Sequence, residues 1–85
     1  MMDAEVRSEE RYSRLSIAYD ASEKEQVNDC INTIIAKYTI EPNIHTTASS
    51  SGKTVVVVEY HDDLDRESGA IFEEILKELQ IHECN

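Results

Sequence analysis

Carboxylates are the most abundant side chains here that could do chemistry. Asp63, Asp65, Glu67 and Glu74 occupy positions one, three, five and twelve of a calcium-loop template, a spacing that can gather oxygen ligands around one hard cation. The sixth position, where such a loop turns on glycine, is Ser68, with Gly69 one residue late. The same stretch reads well as a helix, which would carry the carboxylates away from a single centre. No metal is expected there. Gly52, Lys53 and Thr54 match the end of a phosphate-binding loop. Four valines follow, though, where that loop needs a helix N-terminus facing the phosphate, so a hairpin turn is expected instead. His45, His61 and His82 fall on three separate segments, with Cys84 beyond the last, and no local spacing supports a zinc site. Ser49, Ser50 and Ser51 sit in a turn without a glycine-flanked elbow, and Cys30 lies on the apolar face of a helix, where an inert thiol is expected. No catalytic residue and no cofactor is read from this chain. It is not expected to be an enzyme.

The acids have a pattern of their own. From Glu59 to Glu78 there are eight of them against Arg66 and Lys77. At about 100° per residue, Asp63, Glu67, Glu74 and Glu78 fall within roughly 60° of one another on a helix. At a rise of about 1.5 Å per residue the stripe would run some ~22 Å. It reads as a solvated face or as a docking surface for a basic protein partner, and the second reading is the functional one.

The chain has 85 residues, with 18 Asp and Glu against 8 Lys and Arg and a formal charge of −10. So short a chain supports one hydrophobic core. The negative field repels phosphates and anionic lipid, which argues against direct nucleic-acid binding. No run approaches the ~20 apolar residues of a membrane span, and the charged residues at the start are unlike a signal peptide, so a cytoplasmic protein is expected. Two cysteines in no CxxC spacing read as free thiols.

Residues 1–13 have little apolar periodicity and read as a flexible acidic arm, and 14–85 as a single α+β domain. Ser13 to Asp20 alternates as a half-buried strand, with Leu15, Ile17 and Tyr19 on one face. Ser22 and Glu25 have capping-box spacing, and the apolar steps from Val27 to Tyr38 make a helix that Pro42 closes. Asn43 to Ser49 is a weak strand of the kind found at an edge, joined by a turn at Ser50 to Lys53 to a valine-rich strand over Thr54 to Tyr60. Asp62, Asp63 and Asp65 crowd the start of a second helix, whose apolar face runs from Leu64 to Leu79. Ile81 to Asn85 is long enough for a fourth strand. The expected core is Leu15, Ile17, Ile31, Ile34, Ile35, Val56, Val58, Phe72, Ile75 and Leu79.

This order, βαββα with an optional final strand, resembles the ferredoxin-like superfold: an antiparallel sheet with two helices on one face. Among its members it resembles the ACT-type regulatory domains. That resemblance implies a dimeric small-ligand sensor, with the ligand near a glycine-containing turn after the first strand. Here the turn reads Asp20, Ala21, Ser22, Glu23 and holds no glycine, so the ligand site does not carry over. The preferred expectation is a binding or inhibitory module that engages a protein through the acidic helix and the open sheet face, in its sharper form by mimicking nucleic acid. On that open face Val55 and Val57 are expected to point outward, as a face-to-face homodimer contact or a partner site.

Overall fold

The computed structural model describes residues 2–61 and 67–81. Alternation of apolar and polar residues shapes the sheet. Strand β1 spans Asp3–Ser8, β2 Ser13–Tyr19, β3 Asn43–Ala48 and β4 Thr54–Tyr60, and helices α1 and α2 span Lys24–Ile35 and Glu67–Leu79. The strands lie in the order β1-β2-β4-β3, with every neighbouring pair antiparallel. The fold is therefore α+β.

β4 returns between β2 and β3, as expected, in registers that pair Leu15 with Val58 and Ile44 with Val58 from its two sides. The strand on the far side of β2 is a correction. Residues 3–8, read from the sequence as part of a flexible arm, form β1 and pair with β2 from Asp3 opposite Ala18 to Ser8 opposite Ser13. Alternation explains the pairing: Ala4 and Val6 turn inward while Asp3, Glu5 and Arg7 face water. β1 thus occupies the place beside β2 that a C-terminal strand would take in a ferredoxin-like sheet, and the strand order is not that of the superfold. Of the proposed fourth strand, Ile81 belongs to no strand and 82–85 lie outside the described residues.

The helix boundaries also follow local chemistry. The capping box falls two residues earlier than expected, on Asp20 and Glu23, where the Asp20 N–H donates to Glu23 Oε1 at 2.9 Å. A single 3-10 turn, Ala21–Glu23, leads into α1. α1 ends at Ile35, well before Pro42, in turns closed by Lys37 N–H to Ile34 and Tyr38 N–H to Ile35. The expected start of α2 at Asp62, Asp63 and Asp65 lies outside the described residues. At its other end Gln80 has φ +58°, with Gln80 N–H bonded to the Lys77 carbonyl and Ile81 N–H to the Leu76 carbonyl. This is a Schellman closure. Between β3 and β4 the Ser49 N–H bonds to the Lys53 carbonyl at 2.8 Å and Gly52 has φ +86°, the left-handed position that favours glycine in such a turn. Gly52, Lys53 and Thr54 therefore close a hairpin and run on into a strand.

Nine of the ten expected core residues are buried in one cluster, and Ile35 packs partly buried against it. Ala4, Tyr19, Val27, Tyr60 and Ile71 complete the cluster. β1, β2, β4 and both helices all contribute. β3 does not: its six residues are all exposed.

Candidate functional site

Two surfaces carry the residues singled out from the sequence, and the sheet separates them. The first is a groove between α1 and α2 with a volume of about 410 Å³. Helical periodicity puts Asp29, Cys30, Thr33 and Lys37 of the α1 segment along one wall and Glu74 and Glu78 of α2 along the other. Ile34 and Leu79, both buried, supply an apolar floor.

Glu74 is occupied within the groove. Its Oε2 accepts from the Lys37 ammonium at 2.7 Å and its Oε1 from the Tyr38 hydroxyl at 3.1 Å. The Lys37 hydrogen bond holds the Glu74 carboxyl below the usual carboxylate range, and the same bond raises Lys37 above the usual ammonium range. Because Glu74 is lowered by folding, its contribution to stability is present above its unfolded pKa and is lost as pH falls through the folded one. Because Lys37 is raised, its contribution is present below its unfolded pKa and is lost as pH rises through the folded one. The pair therefore acts between the ordinary carboxylate and ammonium ranges. Replacing Lys37 with methionine is expected to move the Glu74 titration, followed by carboxyl-carbon NMR, up toward the ordinary carboxylate value. An unchanged titration would show that the ion pair does not form in solution.

Glu78 is exposed on the rim, and Asp29 faces it from α1 as a second acid without a lysine in the groove to match. Glu67 lies at the start of α2 and is partly buried, and Asp63 lies outside the described residues. The structure thus brings Glu74 and Glu78 together with Asp29, which the sequence reading did not single out. The signal it missed is that polar positions of α1 sit beside the apolar stripe, where a docked second helix must face them. Cys30 is half-buried in the same groove, its S–H directed at the Ile75 carbonyl at 3.9 Å. Burial, followed by the charges of Glu78 and Glu74, pushes its thiol pKa up. It is a poor nucleophile at neutral pH.

The second surface is the open face of the sheet. Register puts Val55 and Val57 on this face with Ser16, Ala18, His45 and Thr47. Their outward direction is as expected, but their exposure is not. Val57 is 8% exposed and Val55 is partly covered, because β4 is a central strand whose side chains are flanked on both sides. Val55 lines a shallow hollow of about 230 Å³ with Asp3, Glu5, Ser16 and Ala18. Beyond Val57 the face is polar. Glu59 accepts a hydrogen bond from the Tyr12 hydroxyl through Oε2 and lies 3.5 Å from His45 Nδ1 through Oε1, and the Tyr12 ring packs on His61 with centroids 5.2 Å apart. The Glu59 hydrogen bond raises the Tyr12 pKa.

Among the described residues no group of three or more His, Cys, Asp or Glu side chains is placed to hold a metal ion, and no helix is long and apolar enough to cross a membrane. No family model matches the chain, and no curated protein or solved structure matches it.

Proposed function

We propose that this chain is a non-enzymatic protein-binding or inhibitory module that holds basic side chains of a partner in the groove between α1 and α2. The observation that carries the reading is the composition of that groove. An apolar floor of Ile34 and Leu79 lies below a rim where Asp29 and Glu78 exceed the one lysine, itself engaged by Glu74. A lysine or arginine of the partner can lay its methylene stem on such a floor and keep its charge at the rim. The net charge of −10 adds long-range attraction, which speeds the encounter with a basic surface. A protein that normally binds nucleic acid presents such a surface, so polyanion mimicry is the sharper form of the proposal.

The test is calorimetric titration with an amphipathic helical peptide of lysine and leucine. Binding should weaken as salt is raised, since the rim charges are exposed and screened. Reversing Asp29 and Glu78 together to lysine should cost about 1–2 kcal/mol, roughly tenfold in affinity. Binding that ignores both salt and the reversal would remove the groove from the function.

A small-ligand sensor is the second reading, favoured by the groove volume of about 410 Å³, which lies within the ~300–1,000 Å³ usual for small-molecule sites. One cationic metabolite that raises the melting temperature without a basic peptide would select it.

A further inference from the structure

The two edges of the sheet are built differently. β1 carries Asp3, Glu5 and Arg7 on its outward-facing positions, and charges of this kind blunt an edge against pairing with another chain. β3 has no Asp, Glu, Lys, Arg or Pro between Asn43 and Ala48, and its register with β4 runs without a bulge from Asn43 opposite Glu59 to Ala48 opposite Thr54. Among the described residues no strand pairs with its outer side. Ile44, which points to the helix side of the sheet, is 46% exposed and is the one large hydrophobic residue so exposed among those described. The helices leave this strand uncovered.

We propose that β3 pairs antiparallel with β3 of a second copy of this chain, joining two four-stranded sheets into one across a two-fold axis. A second copy fits this edge through the side chains of β3 itself: antiparallel self-pairing sets no Asp, Glu, Lys or Arg opposite another, which limits the repulsion that a charge of −10 on each chain imposes. Symmetry selects the register. Partners in an antiparallel pair share a face, so an axis at Thr46 sets Thr46 opposite its own copy, His45 opposite Thr47 and Ile44 opposite Ala48. A large apolar side chain then lies beside a small one, and the threonines form a favourable cross-strand pair. The contact is isologous, so it closes at two copies and does not propagate. It shares no residue with the groove between the helices, and its failure would leave the groove reading standing.

Sedimentation equilibrium tests it. The wild-type mass should rise with concentration from 9.7 kDa toward twice that value. Thr46→Glu and Thr46→Lys each place like charges on the axis, and each should remain at the monomer mass with an unchanged circular dichroism spectrum. An equal mixture of the two should recover the doubled mass, because glutamate then meets lysine. Glu5→Lys on the opposite edge should associate as the wild type does. A wild-type chain that stays monomeric at every concentration overturns the proposal, as does a Thr46→Glu chain that still dimerises, or a dimer lost through Glu5→Lys. Amide exchange on the wild type guards against variants that fail to fold: β3 amides should become more protected as concentration rises, and exchange that is independent of concentration rejects the pairing.

Discussion

Replacing Ile75 with alanine is expected to destabilise the fold by ~2–5 kcal/mol, out of a total that for domains of this kind is ~5–15 kcal/mol. Ile75 is fully buried on the apolar face of α2, and its removal leaves a cavity in the single core cluster that the helices share with the sheet. In a domain of this length each ~1 kcal/mol shifts the melting temperature by about 4–8 °C, so a fall of upwards of ~10 °C should appear by calorimetry or circular dichroism. Ile34→Ala, on the facing side of α1, should behave alike, because Ile34 is 3% exposed in the same cluster. If both variants melted with the wild type, the two helices would not be docked as the core requires.

The second large effect separates the two faces of β4. Val58 is completely buried toward the helices, and a lysine there would strand an ammonium in the core at a cost of several kcal/mol. Val58→Lys is expected to unfold the protein or leave it barely folded at room temperature. Val57, one residue away, is also largely covered, but by neighbours on the open face. A lysine at 57 loses up to ~2 kcal/mol of apolar burial yet can extend its charge past Ser16 and His45 into water. Val57→Lys, alone or with Val55→Lys, should therefore keep a native circular dichroism spectrum at a lowered melting temperature. Equal damage from Val57→Lys and Val58→Lys would mean that the register of β4 against its neighbours is shifted by one residue, since a slip of one exchanges the faces.

Most of the local elements were legible because their signals are local. The steps of three and four through Val27, Ile31 and Ile34, and through Ile71, Phe72, Ile75 and Leu79, require a helix with one buried face. Gly52 between the alternating run of β3 and the valine run of β4 marks a hairpin. β1 was missed although Ala4 and Val6 alternate with Asp3, Glu5 and Arg7. Its inward residues are few and one is small, and the connection through Glu9 to Tyr12, closed by Glu9 N–H to the Tyr12 carbonyl, contains no glycine, proline or asparagine to announce a turn.

The sequence by itself determined the α+β composition, the acidic charge, the apolar faces of both helices and the outward direction of Val55 and Val57. Each follows from residue type or from a period of two or 3.6 within one segment. Only the tertiary structure decided what those faces meet. Lys37 meets Glu74, and Asp29 shares a groove with Glu78, because α1 and α2 dock side by side on the sheet, and no spacing along the chain encodes a contact between segments so far apart. The same docking takes Glu74 out of the expected acidic stripe by pairing it with Lys37, and it leaves β3 bare. Hydrophobic patterning fixes which side of an element is buried, whereas the lateral placement of helices over strands depends on packing the whole core at once, and that choice sets both the groove and the open edge.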